Sequence, residues 1–253
     1  MSKTELLRKA LREKRCVKII AGISNFDIEK VKKVVTAAQQ GGADAVDVAA
    51  RKDVIYTAKQ STKLSVFVSS IIPEELKMAA SCGADVLEIG NYDALYREGL
   101  RITAQQVLEI TKKTMELVDK EVMLSVTVPG HIDISEQVNL AMELEALGVD
   151  LIQTEGAAVA DIKNSGIKGL MEIAHESISN TAELVRNVSI PVMTASGITA
   201  TTAPLTIAAG ASAVGVGSAV NKLESLFEMT IVVRSIVESI SSLRNSAEEE
   251  ILA

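Results

Sequence analysis

The chain has 253 residues and a mass of 26.9 kDa, a length at which α/β barrels commonly form one domain. Its net charge of −7 and pI near 5.1 argue against nucleic acid or an anionic membrane as the main partner. With no Trp, three Phe and three Tyr, it lacks the flat rings of base- or sugar-stacking surfaces, while its 47% hydrophobic content suits parallel strands buried on both faces.

The chain opens on "MSKTELLRKALREKRCVK", in which charge alternates with Leu and Ala at helical spacing. It has no apolar run long enough for a signal peptide or membrane span, and Glu5 and Glu13 are out of place in a transit peptide. The sequence reads as a soluble, mature protein. Residues 1–16 form an extra helix against the floor of the domain. Cys16 and Cys82, the only cysteines, read as two reduced thiols.

From residue 17 on, apolar β-branched runs alternate with amphipathic stretches. The runs are 17–22, 44–49, 64–70, 85–90, 122–128, 150–155, 191–197 and 212–218. The helical stretches are 27–40, 51–60, 73–82, 103–119, 133–147, 175–187, 199–209 and 222–243. Eight strands alternating with eight helices predict a parallel sheet closed into a single (βα)8 TIM barrel over 17–245, with no second domain in 1–253. The even strands share an opening: "GGADAVDVAA" (41–50), "CGADVLEIGN" (82–91), "LGVDLIQTEG" (147–156) and "AGASAVGVGS" (209–218). This echo reads either as a (βα)2 unit used four times or as convergence on one helix-to-strand turn.

Aligned on their Gly residues, the echoes put Asp47, Glu88, Gln153 and Gly215 in one column, with Ala49, Gly90, Glu155 and Gly217 above it. If these columns faced the helices, Asp47 and Glu88 would be buried carboxylates without partners, at several kcal/mol each. They are therefore expected in the barrel lumen, with polarity rising toward the strand ends where such barrels hold their active sites. Lys18, between Val17 and Ile19, is expected to turn inward as well and to meet Asp47 from the next strand. It is either a structural ion pair or an acid/base or carbonyl-binding lysine governed by Asp47 and by desolvation.

Past the fifth strand, His131 follows "VTVPG" and is a candidate acid/base, whereas His175 reads as the start of a helix. Two distant histidines without a cysteine pair give no transition-metal pattern, so no metal site is assigned. Asp47, Glu88 and Glu155 remain the set a hard divalent ion would use. The long connection 156–172, with Lys163 and Lys168 among glycines, reads as either a mobile lid over an anion or a surface loop with a short helix. Arg97 and Arg101 lie in a second segment over the mouth.

Near the C-terminus, "IPVMTASGIT" (190–199) and "VGVGSAV" (214–220) put small residues at the ends of the seventh and eighth strands. There the N–H groups of Ser196, Gly197, Ile198, Gly217 and Ser218 are placed to surround a phosphate, helped by a short helix beginning near Ser218. These paired glycine ends resemble the grip of the phosphate-binding barrels, among them thiazole synthase, the tryptophan synthase α chain and the histidine-pathway barrels. From "KIIAGISNFD" (18–27) through "IPVMTASGI" to "GVGSAVN", the chain is similar to the plastid and cyanobacterial family called hypothetical chloroplast open reading frame twenty-three. That resemblance implies a ribulose-phosphate-binding-like barrel in a cyanobacterial cytosol or plastid stroma, and supplies no reaction. The Schiff-base lysine of thiazole synthase has no counterpart here, since the second to eighth strands contain no Lys.

The expectation is a barrel that binds a small phosphorylated metabolite, with isomerase- or lyase-type acid/base chemistry by Lys18, Asp47 and Glu88, assisted by Glu155 and His131. The alternatives are a non-catalytic phosphometabolite-binding barrel and a flavin mononucleotide barrel, and in each case pairing into a homo-oligomer is compatible with the sequence. No cofactor is called for by the residues themselves.

Overall fold

The computed structural model describes residues 1–96, 99–156 and 166–252. Helix α1 (Lys3–Arg12) is followed by β1 (Cys16–Gly22), α2 (Ile28–Gly41), β2 (Ala45–Ala49), α3 (Lys52–Ser61), β3 (Ser65–Ser70), α4 (Pro73–Ser81) and β4 (Val86–Ile89). Next come α5 (Asp93–Tyr96), α6 (Ala104–Leu117), β5 (Met123–Val128), α7 (Ile134–Leu147) and β6 (Leu151–Thr154). The chain continues with α8 (Gly166–Asn187), β7 (Val192–Thr194), α9 (Ala203–Ala208), β8 (Ala213–Val216), α10 (Ser218–Asn221) and α11 (Leu226–Leu252). The strands are all parallel and close in sequence order, β8 pairing with β1, so the architecture is a (βα)8 barrel. Val17, Ile19, Val46, Val48, Val66, Val68, Leu87 and Ile89 point outward into the layer shared with the helices.

The repeated phrase has a mechanical meaning. The short acid that opens each of the first three echoes clamps the strand before it twice. Asp44 N–H donates to the Val17 carbonyl while its carboxylate accepts from Val17 N–H, at 2.9 and 3.0 Å. Asp85 does the same to Val66, and Asp150 to Leu124. In the fourth copy Ser212 keeps the backbone half, donating to the Val192 carbonyl. Glycines 42 and 148 end the preceding helices with φ of +87° and +93°, a region that costs an L-residue about 1 kcal/mol or more.

The floor of the barrel is apolar and plugged. Leu7, Ala10 and Leu11 of α1 form one buried cluster with Cys16, Ala45, Phe67, Val86, Met123, Leu151, Met193 and Ala213, inward residues of the eight strands. Arg8 and Arg15 tie the plug to two of the clamping acids, Asp150 and Asp44, at 3.0 and 2.9 Å.

Three expected boundaries move. The stretch at 175–187 is the second half of α8, which begins at Gly166, so His175 lies exposed in mid-helix rather than at a helix start. The helix at 199–209 shortens to Ala203–Ala208, and that at 222–243 begins later and runs further, as α11 from Leu226 to Leu252, with the short helix expected near Ser218 preceding it as α10. Of the suspected lid, Lys168 is an exposed residue of α8, and Lys163 lies outside the described residues, as does Arg97.

Helices α2 and α11 close the outer ring at Gly41, where a Cβ would come within 2.5 Å of Val233 Cβ. Gly41→Ala is expected to lose roughly 1–3 kcal/mol despite the better helix propensity of Ala. Urea unfolding checks this: the midpoint falls, and Val233→Ala in the same chain recovers part of the loss.

Candidate functional site

Pairing register turns one face of every strand into the lumen. Lys18 is level with Ala45 and Gly215, Asp47 with Ile20 and Phe67, Glu88 with Ser69 and Ser125, and Gln153 with Thr127 and Met193. The column expected from the echoes is therefore inward-facing, and Asp47, Glu88, Gln153 and Lys18 are all buried.

Lys18 does not take Asp47 as its partner. Its ammonium crosses the lumen to Glu88 Oε2 at 2.5 Å and stands 4.7 Å from the centroid of the Phe67 ring. A lysine side chain is long enough to span a packed barrel, and Glu88 is where Ser125 Oγ adds a second donor, at 3.1 Å. Asp47 is held instead by Ser69 Oγ at 2.5 Å and Asn91 Nδ2 at 2.8 Å. Asn91, which follows β4 with a left-handed φ of +63°, turns its amide back into the lumen and lies between the carboxylates, 3.2 Å from Glu88 Oε1. Gln153 Nε2 closes the network onto Glu88, Asn91 and Thr127.

The buried site thus holds one ammonium and two carboxyl groups. Burial is the main influence on Asp47, lifting its carboxyl from the ordinary 3.8 to about 7. Glu88 adds to the rise, while Lys18 and the donors Ser69 and Asn91 oppose it. This places the Asp47 proton close to exchange at neutral pH.

Above this layer, Glu155 is buried and accepts from Tyr96 Oη at 2.9 Å, and His131 Nδ1 is 3.1 Å from the same oxygen. Gly130 lets this happen: a Cβ there would fall 2.4 Å from the Gly156 carbonyl, so the turn after β5 lies directly on the end of β6. Arg101 does reach the mouth, its guanidinium 4.7 Å from the centroid of the Tyr96 ring. Asp47, Glu88 and Glu155 are not drawn into one ligand set. The first two meet through Asn91, Glu155 faces Tyr96, and among the described residues no three His, Cys, Asp or Glu side chains gather for a metal.

Gly197 and Gly217 stand equal distances along the chain beyond the paired residues Thr194 and Val214, at the same end of neighbouring strands. Ser196 and Gly197 both have left-handed backbone, with φ of +69° and +71°. Their carbonyls are drawn back by Ser177 Oγ and Thr202 Oγ1, at 3.2 Å each. The amides of Ser196, Gly197 and Ile198 find no acceptor among the described residues, although Ile198 is buried. Gly217 caps the short helix α10, whose Asn221 Nδ2 anchors it to the Ile20 carbonyl at 3.0 Å, while Ser218 is exposed.

The sequence profile of a family described as "Protein of unknown function (DUF561)" matches residues 1–246. The "Uncharacterized protein ycf23" of Cyanophora paradoxa is 36% identical over 232 residues, covering 89% of this chain and 93% of that protein. Among solved structures, (S)-3-O-geranylgeranylglyceryl phosphate synthase from Thermoplasma acidophilum, in complex with its substrate sn-glycerol-1-phosphate, superposes with a TM-score of 0.59 at 17% identity, covering 95% of this chain and 98% of that one. A 3-hexulose-6-phosphate synthase gives 0.60 at 15% identity, covering 89% and 99%. At these identities the two structures establish a shared barrel. No helix among the described residues is long and apolar enough to cross a membrane.

Proposed function

We propose that this chain, which belongs to the family of unknown function matched over residues 1–246, binds a small phosphorylated metabolite at the C-terminal mouth of its barrel. The observation that carries the reading is the run of amides at Ser196, Gly197 and Ile198, without acceptors among the described residues and level with Gly217 on the adjoining strand. Successive N–H groups in such a turn form a concavity for an anion. Two of the barrels that share the fold are named for phosphorylated compounds, which agrees with this use of it.

The chemistry we assign is proton transfer of the isomerase or lyase type, with Asp47 as the group that exchanges the proton and the Lys18–Glu88 pair setting its charge environment. A second reading, a barrel that binds the metabolite without turning it over, is favoured by one fact: Lys18 and Glu88 are fully buried and already satisfy one another.

The grip is tested at Gly217, where a Cβ would meet only Asn221 Nδ2 at 3.8 Å and Ile20 Cβ at 3.9 Å, ordinary contacts. Gly217→Asp therefore keeps the fold, checked by circular dichroism, but sets a carboxylate against the anion. Calorimetric titration with sn-glycerol-1-phosphate and with inorganic phosphate is expected to show affinity falling by at least about 100-fold, or roughly 2.7 kcal/mol. A variant that binds as the wild type does, or a wild type that binds neither anion, overturns the reading.

A further inference from the structure

A second set of proton-carrying groups stands at the rim between β4, β5 and β6, apart from the lumen network. Tyr96 Oη donates to the buried carboxylate of Glu155, and the half-buried His131 approaches the same oxygen through Nδ1, its ring edge-on to the phenol at 5.2 Å and 81°. A phenol has one proton. With that proton on the bond to Glu155, Tyr96 Oη turns a lone pair to His131, and Nδ1 must then be the protonated nitrogen. The neutral ring keeps its basic lone pair on Nε2, for which there is no partner among the described residues. Burial and then the Arg101 guanidinium push the His131 pKa below its usual value, with Glu136 opposing, which favours the neutral ring.

We propose that His131 is a proton-accepting base at the barrel mouth, fixed in its Nδ1–H tautomer by Tyr96 and Glu155 as positioning residues. What it acts on rests on the phosphorylated-metabolite reading above: a C–H or O–H made acidic by a neighbouring carbonyl in that ligand. A proton taken at Nε2 turns the ring into an imidazolium. Its Nδ1–H is already donated to Tyr96, and through Tyr96 to the Glu155 carboxylate, so the new charge is stabilised without any further proton movement. The Asp47 set lies one layer lower and serves as a separate proton reservoir.

The tautomer is read directly by two-bond 1H–15N NMR of the uniformly labelled full chain without ligand. His131 is distinguished from His175, the only other histidine, by the variant His175→Gln. Nδ1 is expected in the pyrrole-type range and Nε2 in the pyridine-type range at pH 7.5. Tyr96→Phe is expected to move the tautomer ratio toward Nε2–H by roughly tenfold, the worth of one hydrogen bond. An Nε2–H ring in the wild type overturns the proposal whether or not the variant folds, and so does a ratio indifferent to the Tyr96 hydroxyl. Addition of dihydroxyacetone phosphate, which carries both the phosphate and a carbonyl beside an acidic C–H, is then expected to shift the Nε2 resonance. If calorimetry records binding and Nε2 does not move, His131 is not the base. If calorimetry records no binding, the metabolite reading fails while the tautomer result stands.

Discussion

Lys18→Met is expected to destabilise the fold by about 3–5 kcal/mol near neutral pH, the usual loss when one partner of a buried ion pair is removed. The ammonium has no exposure and contacts Glu88 Oε2 and the face of Phe67. Without it, Glu88 and Asp47 remain as two carboxyl groups bridged by Asn91, with no other cation paired to them among the described residues. The methionine fits over Phe67, so packing is largely kept and the loss reports charge. Adding Glu88→Gln should recover most of it, because a neutral amide still accepts from Asn91 and Gln153 at Oε1 and can donate to Ser125. Urea midpoints of the two single variants and the double variant decide the matter. The single lysine variant should also be less harmful at pH 5 than at pH 8, since acid protonates Asp47 and removes its charge from the stranded pair. A Lys18→Met protein as stable as the wild type would mean that the pair contributes nothing to the barrel.

The second large effect is a pH dependence that Asp47→Asn removes. Asp47 is protonated below about 7 in the folded chain and below 3.8 when unfolded. Between those values the native state holds a proton that the unfolded chain has released, so stability falls as pH rises. The contribution is complete below 3.8 and gone above about 7, some 4 kcal/mol at most for a shift of roughly three units. Asparagine cannot ionise, and its amide can turn to accept from Asn91 and donate to Ser69. The variant should therefore match the wild type near pH 4 and exceed it by up to that amount at pH 8. Urea midpoints measured across this range for both proteins, taken as a difference, cancel the other titrating groups. Parallel curves would show that Asp47 ionises as an ordinary carboxylate.

The barrel and the parity of its lumen were legible because both depend on periodicity. The echo set the register of Asp47, Glu88, Gln153 and Gly215 by spacing alone, and the cost of turning acids toward the helices chose their side. The partners were less legible. Ser69, Ser125 and Thr127 come from odd strands, where small hydroxyl residues look the same whether they end a strand or point into a lumen. Asn91 reads as part of a loop, and only its left-handed φ sends the side chain back between Asp47 and Glu88. The exchange of Asp47 for Glu88 as the partner of Lys18 has the same origin, because adjacency in a sheet is written in sequence order whereas reach across a closed barrel is not. Tyr96 is hidden in the sequence because α5 is a short helix with no periodic signal, and the scarcity of rings speaks only to stacking surfaces. The one cue for it was a phenol placed shortly before Arg101 in a segment already assigned to the mouth.

Closure of β1 onto β8, with Cys16 beside Ala213 and Ile19 beside Val216, also constrains how the protein is made. The earliest strand to leave the ribosome is completed by one of the latest, after a wait of roughly 10–40 s at translation speeds of 5–20 residues per second. Until then the nascent chain carries an open sheet whose first strand offers an unpaired, Val- and Ile-rich edge to any neighbouring polypeptide. Synthesis of this barrel therefore places its greatest demand on chaperones before β8 emerges, and a ribosome stalled short of Ala213 holds a product that cannot bury that edge.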